Sequence, residues 1–166
     1  ILDDARNFGV TILGLDVNAS NNVFHLEQLP DLSFGIRVSF TDLKEISEAE
    51  IERLITGQPF SSLSDLWLRA RPSRPVAENL VVAGAFDSLY GFTERKMRGQ
   101  ITRRDLLLQI ADLDRSHGKS GKSTPVAQLS FDVTDSDSGV IASGLPEMTS
   151  AQRVKSEVEV LGLDVS

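Results

Sequence analysis

The sequence predicts a mainly helical fold with a small antiparallel β element near its start. Three observations carry this. Apolar residues recur at three- and four-residue spacing, in runs opened by Ser or Thr and followed three residues later by Glu, Asp or Gln. Glycine and proline punctuate those runs at Gly57, Pro72, Pro75 and Gly84. Ahead of them, two short stretches alternate partly between apolar and polar residues, the pattern of half-buried strands.

Taken in order, Ile1 to Phe8 reads as the last turns of a helix, with Gly9 placed to cap it in a left-handed conformation. Val10 to Leu15 is short, apolar and β-branched, and so extended. Asp16 to Asn22 is turn chemistry, because Asn and Asp bond to nearby backbone and tolerate left-handed angles. Val23 to Leu29 and Gly35 to Phe40, with Pro30-Asp31 between them, form an antiparallel pair. Ser47 and Glu50 make a capping box and start the clearest helix, with Ile51, Leu54 and Ile55 on one face and Gly57 at its end. A second helix spans about Ser62 to Ala70, with Leu63, Leu66 and Trp67 inward. Pro72 and Pro75 bound the next turn. A third runs from Val76 to Ala83 and closes at Gly84. Leu43 to Leu89 is therefore two helix–turn–helix units in tandem. Thr102 and Asp105 cap a longer helix to about Ser116, striped by Leu106, Leu107, Ile110 and Leu113. Ser116 to Pro146, rich in Ser, Gly, Asp and Thr, reads as a linker that is mobile unless packed. A last helix, opened by Thr149 and Gln152, reaches Leu161 and ends at Gly162.

Composition narrows the function. The 166 residues suffice for one domain or two small ones. Cysteine is absent, which removes disulfides and thiolate metal sites, and His25 and His117 are far apart, which argues against zinc. No apolar run approaches the roughly 20 residues of a membrane span. With no signal peptide and Ile1 in place of Met, the chain reads as a piece of a larger cytoplasmic protein. The net charge is −7, unevenly spread. Residues 1–68 hold four basic and eleven acidic side chains, residues 69–122 eleven and six, and residues 123–166 two and seven. A basic middle between acidic ends can meet a polyanion locally.

Several segments, in order, resemble bacterial C-family DNA polymerases. They are Asp4-Ala5-Arg6 with Gly9-Val10, Leu13-Gly14-Leu15-Asp16-Val17-Asn18-Ala19-Ser20, Gly35-Ile36-Arg37, and Ile46-Ser47-Glu48-Ala49. Phe60, Leu63 and Asp65 follow, then Leu80 with Ala83-Gly84-Ala85-Phe86-Asp87, and finally Glu159-Val160-Leu161-Gly162-Leu163. Ile46 to Ile51 and Ser73-Arg74-Pro75-Val76 look most like the error-prone branch, which acts in translesion synthesis and damage-induced mutagenesis. The resemblance implies tandem helix-hairpin-helix-like units. Residues 1–40 would be the end of the fingers region with the small β element, and residues 41–117 the helical domain. Residues 118–146 would be the linker, and residues 147–166 a helix leading toward an OB-fold domain. It also implies a parent that extends a primer with template, deoxynucleotides and two divalent metals, magnesium being the expected ion. The carboxylates that hold those metals are not in this chain, so no cofactor and no catalytic residue is expected here.

A helix-hairpin-helix grips duplex backbone through N–H groups at the hairpin and the next helix start, where the helix dipole favours negative charge. Here the hairpin is Leu43-Lys44-Glu45-Ile46-Ser47, so Lys44 and Ser47 are candidate phosphate contacts. Glu45 and Ser47 stand where the family pattern often has glycine, and Glu45 sets a carboxylate beside the phosphate. Around the second turn, Arg69, Arg71 and Arg74 offer guanidinium forks suited to phosphate oxygens. Arg95, Lys96, Arg98, Arg103 and Arg104 form a further basic run.

Gln128, Leu129 and Phe131 sit where replicative relatives carry a sliding-clamp peptide. Asp132 truncates the pattern, and in the error-prone branch an accessory protein makes the clamp contact. Gly118 to Ser123 fails the spacing of a phosphate loop, since Ser116 occupies the required glycine position. Asn18-Ala19-Ser20 is a glycosylation triplet by letter alone, and the aspartates of residues 132–137 have no site around them. The expected partners are template-primer duplex and accessory proteins of a mutagenesis complex, with the clamp as a weak third and no membrane. The rival reading is a protein-interaction module without DNA contact. Arg69, Arg71 and Arg74 on one exposed face beside Ser47 would favour DNA, whereas their capture in ion pairs would favour the rival.

Overall fold

The computed structural model of this chain describes residues 7–92, 101–118 and 140–161. Of the helix expected at the start, only Asn7 and Phe8 are described, and Gly9 follows with the expected left-handed backbone, φ 77°. The chain then extends as β1 (Thr11–Leu13). After the turn at Asp16–Ser20 come β2 (His25–Gln28) and β3 (Phe34–Arg37). These two pair antiparallel, with His25 opposite Arg37 and Gln28 opposite Phe34. The sheet is mixed, however, because β1 lies on the other side of β3 and parallel to it, Thr11 opposite Gly35. A parallel partner needs a long connection and no tight turn, so no local residue pattern announces it.

A 3₁₀ turn (Phe40–Asp42) carries the chain into α1 (Glu48–Gly57). Ser47 and Glu50 form the capping box reciprocally. Ile51 and Leu54 are buried, and Ile55 packs at the margin of the core. Gly57 is still helical, and its role is space: a Cβ there would stand 2.6 Å from the Phe60 ring. Ser62 caps α2 (Leu63–Ala70), accepting from the Asp65 N–H at 3.1 Å, and Leu63, Leu66 and Trp67 are buried as expected. α3 (Arg74–Val82) starts two residues earlier than its apolar run, because Pro75 suits a first helical turn. Gly84 follows at φ 78°. A short α4 (Asp87–Tyr90), which the periodicity does not announce, comes before α5 (Arg103–Gly118) and α6 (Ser150–Leu161). Thr102 with Asp105 and Thr149 with Gln152 make the expected reciprocal bonds at the last two starts.

One hydrophobic cluster joins the parts. Leu15, Val17, Val38 and Phe40 from the strand region pack with Leu54, Leu63, Leu80, Phe86, Leu106, Ile110 and Leu161 from the helices. α3 lies against α5 and α6, and α1 against α2. Asn18 ties the strand region to the α1–α2 turn. Its amide nitrogen donates to the Phe60 carbonyl at 2.9 Å, and its amide oxygen accepts from the Phe60 N–H at 2.7 Å. Asp16 accepts from the Asn18 and Ala19 N–H groups, the Ser20 hydroxyl donates to the Val38 carbonyl, and the Val17 N–H donates to the Ala85 carbonyl. The Asp16–Ser20 segment is thus a clamp between strands and helices, and the glycosylation triplet is occupied by structure.

Candidate nucleic-acid interface

The first hairpin is held from behind. The Lys44 N–H donates to the Val160 carbonyl in the last turn of α6, 3.0 Å away, and the Lys44 carbonyl accepts from Asn79 Nδ2 on α3 at 3.1 Å. Glu45 takes the left-handed conformation, φ 65°, that glycine would adopt without cost. With its backbone pinned, the Lys44 side chain is left exposed beside the start of α1.

At that start, Glu50 does more than close its own capping box. Its Oε2 accepts from the Ser47 N–H at 3.1 Å and the Ser47 hydroxyl at 2.7 Å. Its Oε1 accepts from the Ser73 N–H at 2.8 Å. Ser73 is the N-cap of α3. The starts of α1 and α3 therefore lie within about 8 Å of each other, two hydrogen bonds and one carboxylate apart. Glu50 is 8 % exposed, and burial opposes its charge. Hydrogen bonds from Ser47 and Ser73 outweigh that opposition and hold the carboxyl down to about 2. The Ser47 N–H proposed for phosphate is thus already bonded to Glu50. The N–H groups of Glu48 and Ala49, in the first turn of α1, are orphan donors by their position in the helix.

The three arginines of the second turn separate. Arg71 caps α2 in a left-handed conformation, φ 47°, and its side chain is exposed. It stands beside a recess of about 370 Å³ lined by Trp67, Leu68 and Pro72. Arg74, at the start of α3, is 47 % exposed and pairs with Glu78 at 2.7 Å and Asp114 at 3.4 Å. Arg69 turns back to the α1–α2 connection. It donates to the Pro59 carbonyl and to Asp65, both at 3.0 Å, and to the Gly57 carbonyl, and it lies over the Phe60 ring. It serves as a brace for the α1–α2 connection. Among the described residues, neither Lys44 nor Arg71 has an acidic partner for its side chain.

The basic run after residue 92 also divides. Arg103 is 3 % exposed, so it is no surface contact. Its Nε donates to Asp87 at 2.9 Å, its Nη1 donates to the Val82 carbonyl at 3.0 Å and lies 3.5 Å from Glu157. A buried guanidinium persists because every face of it meets an acceptor. Arg104 is half-buried. Arg95, Lys96 and Arg98 lie outside the described residues, as do Gln128, Leu129 and Phe131.

Sequence reasoning missed Arg53. From α1 it donates to the Ala70 carbonyl at 2.7 Å and the Arg71 carbonyl at 3.3 Å, placing a cation at the C-terminus of α2. It also missed the reach of Glu50 to Ser73. A charged residue facing a helix end 17 or 23 positions away leaves no local signal. Two adjacent helix starts, at Ser47 and Ser73, thus stand with the exposed side chains of Lys44 and Arg71 and with Arg74, which is held in ion pairs to Glu78 and Asp114.

Comparison with known proteins bears on this face. A family model described as a helix-hairpin-helix motif matches residues 9–97. An error-prone DNA polymerase of Brucella abortus is 36 % identical over 91 residues, covering 54 % of this chain and 8 % of that protein. One from Aromatoleum aromaticum is 35 % identical over 98 residues, 55 % of this chain and 9 % of that protein. The DNA polymerase III subunit alpha of Caulobacter vibrioides is 34 % identical over 128 residues, 71 % of this chain and 10 % of that protein. The chain therefore spans about a tenth of the length of these curated relatives.

Proposed function

This chain belongs to the helix-hairpin-helix family, and we propose that it holds template-primer duplex by its phosphate backbone within an error-prone DNA polymerase. The observation that carries the reading is the meeting of two helix starts, at Ser47 and Ser73, beside the exposed side chains of Lys44 and Arg71. Helix N-termini and cations contact phosphates irrespective of base, which suits an enzyme that must travel along any sequence. Arg74 joins when a phosphate competes with its exposed pairs to Glu78 and Asp114, and such pairs contribute little stability. Arg69 supports the face from behind. Primer extension, with its magnesium ions, belongs to the rest of the parent protein, and this chain contributes grip and no catalytic group. The parent's setting would be translesion synthesis after DNA damage in the cytoplasm, alongside accessory proteins. No helix among the described residues is long and apolar enough to cross a membrane.

A second reading has an observation in its favour. Arg69 and Arg74 are engaged in ion pairs, and Leu26, Leu32 and Phe34 of the β2–β3 hairpin are exposed, so this region would dock accessory proteins or the clamp. Fluorescence anisotropy of a labelled primer-template duplex decides between the two. Backbone grip predicts binding that weakens with salt and drops in a Lys44→Ala/Arg71→Ala/Arg74→Ala variant. Absence of binding at low salt would leave the interaction module as the better account.

A further inference from the structure

We infer that Glu50 is the positioning residue of the interface, a carboxylate hinge-pin that holds the two helix starts at one fixed spacing so that both engage the same duplex. The inference rests on the backbone-grip reading for its consequence and on geometry alone for its mechanism. Glu50 stands on α1, and its two oxygens point to different units: Oε2 to Ser47 of the first turn, Oε1 to Ser73 of the second. A capping box needs only the bonds within residues 47–50. The bond to Ser73, 23 residues on, adds nothing to the α1 cap and couples it to α3.

The other links between the two turns are indirect. Asn79 of α3 reaches the Lys44 carbonyl, and Arg53 holds the α2 end just before the second turn. Only Glu50 bonds the two helix starts to each other among the described residues. Its burial excludes the water that would otherwise compete for the Ser73 N–H. Glu50 itself touches no DNA in this scheme. It sets the distance between Lys44 on one side and Arg71 and Arg74 on the other. Two turns held at a fixed spacing meet phosphates of one backbone without losing freedom on binding, and that preorganisation raises affinity. The carboxylate also carries a cost, since its charge lies near the phosphates it helps to bind. Retention of a charge there is explained by the number of donors it must satisfy at once.

Two measurements on the 166-residue chain test this, one with DNA and one without. The chain has no cysteine, so nitroxides placed through Ala49→Cys and Pro75→Cys, in the first turns of α1 and α3, report their separation cleanly. With Glu50 in place the dipolar splitting should be sharp. Glu50→Ala should broaden it most, and Glu50→Gln, whose single amide oxygen can accept from the Ser73 N–H or the Ser47 N–H but not both, should broaden it less. In duplex titrations, Glu50→Ala should bind roughly tenfold more weakly at low salt, with a salt slope shallower by about one phosphate contact. Glu50→Gln, which keeps one of the two bonds, should bind between Glu50→Ala and the parent sequence. An unchanged splitting in Glu50→Ala overturns the hinge-pin whatever DNA does. Tighter binding by Glu50→Ala also overturns it, since Glu50 would then be only a repulsive charge. If Glu50→Ala broadens the splitting while the parent chain does not bind duplex, the hinge-pin stands and the backbone-grip reading falls.

Discussion

Gly84 shows how one backbone position can be over-determined. Its φ of 78° is costly for any residue with a Cβ, and that Cβ would stand 2.5 Å from Arg103 Nη2. Gly91 has a similar angle, φ 63°, with nothing within 4 Å of its missing Cβ. Both substitutions to alanine should therefore cost about 1 kcal/mol for the backbone angle, and Gly84→Ala about 2 kcal/mol more for displacing a buried, charge-paired guanidinium. Urea unfolding of the two variants checks this, and equal losses would show that Arg103 yields without penalty. Glu50 makes a second prediction, from its titration. Its carboxyl lies at about 2 when folded, below the usual carboxylate range of about 4.5. A depressed carboxyl stabilises the fold at pH above the unfolded value and loses that contribution as pH falls toward the folded value. The stability gap between the parent chain and Glu50→Gln should therefore be full above pH 4.5 and close progressively toward pH 2. Its size should be on the order of 2 kcal/mol. A gap independent of pH would mean the two acceptor oxygens matter through shape and not charge.

At the scale of elements, what the sequence discloses depends on distance along the chain. Ser47 with Glu50, Thr102 with Asp105 and Thr149 with Gln152 were readable because each cap spans three residues. The apolar faces of α1, α2 and α5 were readable because burial repeats with the helical period. The parallel pairing of β1, the Asn18 bonds to Phe60 and the bond from Glu50 to Ser73 were not, since each joins residues that only folding brings together. The same limit applies to the site. Lys44 and Arg71 are exposed as their charge suggests, but nothing local distinguishes them from Arg103, which is buried. Asp105 illustrates a local signal with a hidden second use. Besides capping α5 it accepts from the Ser143 N–H at 2.9 Å and from the Ser143 hydroxyl, tying residues 140–146 to the helix start. Burial opposes its charge, and the Ser143 and Thr102 bonds outweigh that and keep its carboxyl below the usual range. Asp105→Asn should keep part of the cap and loosen the strap. Hydrogen exchange should then quicken at Ser143 and its neighbours while β2 and β3 exchange as before. Uniform quickening throughout would indicate that the strap and the core open together.

The molecule as a whole places its interface on a scaffold that includes the strand region. Val17, Val38 and Phe40 are wholly buried within the same cluster as the helical residues. The Val17 N–H satisfies the Ala85 carbonyl, and Asn18 satisfies both backbone groups of Phe60. Removing residues 1–40 would expose the helical side of this cluster and leave those groups without their partners. The lost burial of those three side chains alone amounts to about 5 kcal/mol, and unsatisfied backbone groups add about 1–3 kcal/mol each. Domains are commonly stable by only about 5–15 kcal/mol in total. A chain beginning at Thr41 should therefore lose its cooperative thermal transition, although the capped helices keep their local preferences. Circular dichroism melts of the full and shortened chains make the comparison. A shortened chain that melts cooperatively near the full chain's temperature would show that the helical units fold by themselves. Loss of the transition, reversed by adding residues 7–40 as a separate peptide, would show that the strand region completes the core on which the two helix starts are held.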